Sequence, residues 1–143
     1  MHSRGFSLIE VLVAVLLMSV SLLALYAAMT YGVRANAHGK LLGEATNAGR
    51  EILCLIKGRG WAGDPNYTSL LNDPVDARLP LNAAPFEDDL ASYATSPFTR
   101  NLSVRRLGPP GTFRHELVSL KVVIYWAEGT RANALPLETY RRI

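Results

Sequence analysis

No charged residue occurs from Val11 to Val33, and the run is dominated by Leu, Val, Ala and Met. At 1.5 Å per residue, about 20 helical residues cross a hydrocarbon core of about 30 Å, so this stretch is long enough to span a bilayer. It holds no proline, and its single glycine is Gly32. Tyr26 and Tyr31 stand near its end, where amphipathic rings suit a membrane interface. His2 and Arg4 precede the run, and Arg34, His38 and Lys40 follow it, so the flanking charges do not orient it. The helical period then continues. Leu41, Ala45, Ala48, Ile52, Leu55 and Ile56 recur at spacings of three and four, with Lys40, Glu44, Asn47 and Lys57 mainly elsewhere on the wheel. Gly58 and Gly60 are stop signals. One helix over residues 7–57 would be about 75 Å long, a length that serves a helix half in lipid and half under a folded head.

Residues 58–97 carry five of the eight prolines and a set of turn formers, and are expected as a long loop with a short helix over 86–93. The last third alternates instead. Strands are expected over 98–107, with Leu102, Val104 and Arg106 on one face, and over 117–126, with Leu120, Val122, Ile124 and Trp126 on one face. Glu128-Gly129 signals a turn, and 131–140 returns as a partner that Pro136 places at an edge. The fold class is therefore α+β: a long N-terminal helix whose outer half is covered by a small antiparallel sheet, read as a meander of three strands.

Composition adds constraints. The chain has 143 residues, enough for one modest domain plus an appendage. A formal charge of +3 is too small to imply nucleic acid. The basic pairs Arg105-Arg106 and Arg141-Arg142 are the only candidates for it, and each is too small a patch by itself. Cys54 is the single cysteine, so no internal disulfide or C-x-x-C motif exists, and it reads as a small apolar core residue on the helix. Asp64, Asp73, Asp76, Glu87, Asp88 and Asp89 lie in the loop region without EF-hand spacing and read as solvated carboxylates.

Glu10 is the chemical anomaly. It is an ionisable group one turn inside an apolar segment, where a charge costs roughly 2.5–3.5 kcal/mol if central and less near the interface. Phe6 lies one helical turn earlier. A cut between Gly5 and Phe6 would place a new positive amine at the helix start, within reach of such a carboxylate.

The run Gly5-Phe6-Ser7-Leu8-Ile9-Glu10, following Arg4 and preceding the apolar helix, resembles the type IV prepilin family. The resemblance covers residues 1 to about 35. It implies that a prepilin peptidase cuts after Gly5 and methylates the amine of Phe6, and that Glu10 acts in filament assembly. It implies a leader over 1–5, a transmembrane half over 6–33, and a head over 34–143 comprising helix 34–57, loop 58–97 and sheet 98–143. The leader is then cytoplasmic, and the head lies in the periplasm until the subunit leaves the inner membrane for a filament. The expected partners are the peptidase, other pilin or pseudopilin subunits, an inner-membrane assembly platform and the lipid bilayer; nucleic acid is not expected as a partner. The chain lacks the membrane-helix proline and the C-terminal cysteine pair common in major pilins. The stretches Val11-Leu12-Val13-Ala14 and Val122-Val123-Ile124-Tyr125-Trp126-Ala127-Glu128-Gly129 look like minor pilins of the V type and the I-type pseudopilins of type II secretion. The expectation is a minor pilin, with a minor type II pseudopilin and then a DNA-uptake minor pilin as alternatives.

A secretory signal peptide would need a small-x-small cleavage site and tolerates no Glu10, and a plain membrane anchor leaves Gly5-Phe6 and Glu10 without a reason. An enzyme is not expected: the histidines are scattered at His2, His38 and His115, with His115 read as an exposed loop residue. No nucleophile triad, phosphate loop or zinc spacing is present, so no catalytic residue, cofactor or metal is assigned.

Overall fold

A computed structural model describes residues 7–64 and 69–142 of the chain, apart from the side chains of Phe113 and His115. Residues 1–6, among them Gly5 and Phe6, lie outside the described residues. The architecture is α+β: helix α1 (Leu8–Arg59) and a four-stranded antiparallel sheet in the order β1 (Leu79–Pro80), β2 (Thr99–Arg106), β3 (Leu117–Glu128), β4 (Arg131–Arg142). The chain divides into two compact units, Met1–Lys40 and Leu41–Ile143.

In the first unit, the helical residues 8–33 expose nearly every large apolar side chain. Among the described residues, α1 is the one helix long and apolar enough to cross a membrane. The serine and threonine side chains of residues 8–33 are satisfied locally. Ser19 donates to the Val15 carbonyl, Ser21 to that of Leu17 (both 2.8 Å), and Thr30 to that of Ala27 (2.9 Å). In hydrocarbon, where no water is available, such internal partners keep a hydroxyl from costing stability.

In the second unit, the helix buries Ala45, Ala48, Gly49, Ile52, Leu53 and Ile56. These are the inward positions of the period that the apolar residues describe, extended by Gly49 and Leu53; Leu41 and Leu55 pack at the margin. Cys54 is exposed, which corrects its reading as a core residue. Ile52, Leu53 and Ile56 already fill the inward arc, and the next residue after Leu53 turns about 100° away from it. Helix α1 ends where expected: Gly60 takes a left-handed conformation (φ 71°) that only glycine adopts without a Cβ penalty.

The inner sheet face carries Leu102 and Val104 from β2, and Val118, Leu120, Val122, Ile124 and Trp126 from β3, all buried in one core with the inward residues of the helix and of the loop. Arg106 shares their parity but is exposed at the strand end. Strand β4 pairs with β3 over its whole length, from Glu128↔Arg131 to Leu117↔Arg142. Two departures from expectation concern the loop. A two-residue strand, β1, adds a fourth rung through Leu79↔Arg100 and Pro80↔Thr99. In place of a helix over 86–93 there are turns and one 3-10 turn, Ala91–Tyr93.

The loop is held by Arg100, whose parity places it inward beside Leu102 but whose charge would not otherwise be tolerated there. Its guanidinium is fully buried and pairs with Asp73 at 2.6 Å. It also donates to the carbonyls of Leu81 (3.3 Å), Ala83 and Ala84 (both 3.0 Å), and lies 4.9 Å from the Phe86 ring centre. Burial pulls the Arg100 pKa down while Asp73 opposes that shift. The Asp73 side chain is 2 % exposed, which corrects its reading as a solvated carboxylate. Its Oδ2 also accepts the Leu102 amide at 2.6 Å, Asn72 accepts that of Val104 at 2.7 Å, and Asn101 donates to the carbonyls of Pro74 and Ala77. The loop thus satisfies polar groups along β2 that would otherwise be left unpaired.

Candidate functional site

The site begins at the start of α1. The Ser7 carbonyl accepts the Glu10 amide at 2.9 Å and the Val11 amide at 3.3 Å, which fixes the first turn. Glu10 sits in that turn, exposed, next to the positive end of the helix dipole. Among the described residues it forms no ion pair. Its neighbours Leu8, Ile9, Val11, Leu12 and Val13 are apolar and more than half exposed. Gly5 and Phe6, the other two residues singled out by sequence, lie outside the described residues.

Residues 1–26 match the family model described as the prokaryotic N-terminal methylation motif. No curated protein and no solved structure gives a significant match to the chain. The chain thus carries the prepilin-type signal of type IV pilins and pseudopilins, joined to a long apolar helix and an α+β head. That combination supports a protein of the type IV pilin or pseudopilin class, and the motif implies processing by a prepilin peptidase and assembly with other pilin subunits.

Elsewhere several of the charged residues have structural employment. Strand register brings the two basic pairs to one end of the sheet, Arg106 and Arg141 flanking Val118. There Arg142 pairs with Glu116 at 2.7 Å, and Arg141 donates to the Lys57 carbonyl near the end of α1. Such a contact satisfies a carbonyl that the helix cannot bond internally. Asp89 pairs with Arg59 at 2.5 Å. Among the described residues no group of three His, Cys, Asp or Glu is placed to hold a metal ion.

Two features of the head have little or no signature in the sequence. The Arg100–Asp73 pair had one available signal, the inward parity of Arg100. A shallow groove of about 280 Å³ lies between Arg78, Pro97, Thr99, Tyr125, Trp126, Ala127 and Ala132, assembled from four separate segments. No local pattern marks it.

Proposed function

We propose that the protein is a minor pilin of a type IV pilus. In this reading prepilin peptidase cuts between Gly5 and Phe6 and the new Phe6 amine is methylated. The subunit waits in the inner membrane with its head in the periplasm, then enters or primes the filament. Glu10 pairs there with the Phe6 amine of an adjacent subunit. The observation that carries this is the coincidence of the methylation-motif match over residues 1–26 with a carboxylate, Glu10, that is the one charged residue of helical residues 8–33. The carboxylate lacks a cation among the described residues, and stacked helices in a filament bring one alongside, where low dielectric strengthens the attraction.

Two measurements test this. Intact mass of membrane-extracted protein is expected to show loss of residues 1–5 and one added methyl; an uncut leader in cells with active peptidase overturns the processing step. Glu10→Val is expected to leave cleavage intact and to lower the ratio of filament-associated to membrane-associated protein. An unchanged ratio removes Glu10 from assembly, and a change in methylation alone would point to pairing of Glu10 with its own terminus.

The second reading, a minor pseudopilin of type II secretion, is favoured by the terminal hairpin, in which β3 runs through Trp126 into a turn at Gly129 (φ 61°). Deletion of the gene separates the two, since loss of piliation with secretion intact supports the first and the converse supports the second.

A further inference from the structure

The outer face of the sheet is divided in two by the strand register. Because Leu120, Val122, Ile124 and Trp126 point inward, their neighbours in β3 point outward. Toward one end, the outward residues are polar: Lys121 stands opposite Ser103 and Glu138, and Ser119 opposite Arg105 and Tyr140. Toward the hairpin β3 and β4 place Val123 opposite Pro136, Tyr125 opposite Ala134, and Ala127 opposite Ala132, with Asn101 and Thr99 of β2 bordering Val123 and Tyr125 on the other side. Ala127, Ala132, Ala134 and Pro136 are exposed, and Val123 and Tyr125 are half-buried. A sheet face that only meets water is expected to be largely polar, as the other half is apart from Leu117 at its end. Six apolar residues in three cross-strand pairs make a low surface that a partner can approach closely.

The groove of about 280 Å³ lies at this end. Arg78 borders it, with its guanidinium 4.7 Å from the Tyr125 ring centre. Among the described residues Arg78 forms no ion pair, and none of the residues lining the groove is acidic. An aromatic ring, small apolar neighbours and an unneutralised arginine at the rim form the composition that protein interfaces favour. Stacking on Tyr125 also holds the guanidinium in place before any partner arrives, which lowers the entropic cost of using it.

We propose that this apolar half-face is a docking surface for a neighbouring subunit of the assembly, which lays an apolar side chain in the groove and sets a carboxylate against Arg78. The inference rests on the pilin reading given above, since that reading supplies neighbouring subunits. The apolar area attracts the partner, and Arg78 selects among partners by charge. A cation facing Arg78 is rejected, and a carboxylate is oriented by the planar guanidinium.

The test uses the full chain in its own cells, reading the ratio of filament-associated to membrane-associated protein at matched expression. Ala134→Arg, in the middle of the apolar half, is expected to lower the ratio about tenfold, and Ser103→Arg, on the polar half of the same face, to leave it within about twofold of wild type. Arg78→Glu is expected to fall about as far as Ala134→Arg, while Arg78→Lys, which keeps the charge, stays within about threefold of wild type. Thermal melting of each purified full-length variant in detergent accompanies the assay, and if Ala134→Arg unfolds the chain the Arg78 pair decides alone. A wild-type protein absent from filaments overturns the pilin reading and this inference with it. A wild-type protein present in filaments, with Arg78→Glu and Arg78→Lys behaving alike, overturns the docking surface and leaves the pilin reading standing.

Discussion

Asp73 and Arg100, 27 residues apart in the chain, form an ion pair of 2.6 Å in which both side chains are sealed from solvent. The pair joins the irregular segment to β2. It is surrounded by the carbonyls of Leu81, Ala83 and Ala84 and the amide of Leu102, so its charges are hydrogen-bonded as well as paired. A buried pair without such bonds would not repay its desolvation.

Removal of one partner leaves an uncompensated charge. Asp73→Ala and Arg100→Ala are each expected to destabilise the head by about 3–5 kcal/mol. The double variant should cost less than the two singles combined, because neither charge is then stranded. Urea denaturation of the three variants measures this; strict additivity would mean that the pair is not coupled.

Gly49 and Gly43 lie on the same helix with opposite expectations. A Cβ on Gly49 would run into the Leu137 side chain, whereas one on Gly43 meets nothing within 4 Å. Gly49→Ala is expected to cost about 1–3 kcal/mol by overpacking, partly recovered by Leu137→Ala. Gly43→Ala is expected to gain roughly 0.5–1 kcal/mol from restricting the unfolded chain. Equal effects at the two positions would contradict the close helix–sheet approach.

Trp126 is 6 % exposed, and its ring stands edge-on to Phe98 with centres 6.2 Å apart. Its indole N–H is buried with no acceptor among the described residues. Residues 34–143 are expected to fold as a soluble monomer. In that fragment Trp126→Ala should cost about 3–5 kcal/mol, and Trp126→Phe distinctly less, since it removes the unsatisfied donor while keeping an aromatic ring. Chemical denaturation of the fragment checks both, and a midpoint unmoved by Trp126→Ala would misplace the inner face.

The carboxyl of Glu138 is held below its ordinary value of 4.5 chiefly by the Ser119 hydroxyl at 2.6 Å, then by the Tyr140 hydroxyl and the charge of Lys121. A depressed folded-state pKa gives stability that is complete above the unfolded value and is lost as pH falls through the folded one. The melting temperature of the head is therefore expected to drop as pH is lowered below about 4.5, and Glu138→Gln to remove part of that dependence. Melting curves across this range, wild type against variant, report the difference, and parallel curves would exclude the contribution.

Local pattern alone determined a good deal here. The charge-free run, the three-and-four spacing after it and the alternation of β3 each depend on residues close in sequence. From them followed the long helix, its end near Gly60 and the inward set Leu120, Val122, Ile124 and Trp126. The matched N-terminal motif is equally local. What the tertiary structure decided is what depends on pairing distant segments. Arg100 is buried because Asp73 and three loop carbonyls come to it. Gly49 is required because Leu137 crosses there, and Cys54 is outside because Leu53 takes the inward arc. The apolar half of the outer face exists only once β3 and β4 settle into one register. Periodicity tells which side chains share a face of one element. The partners across elements are set by register and close packing, and a shift of one residue would exchange every one of them.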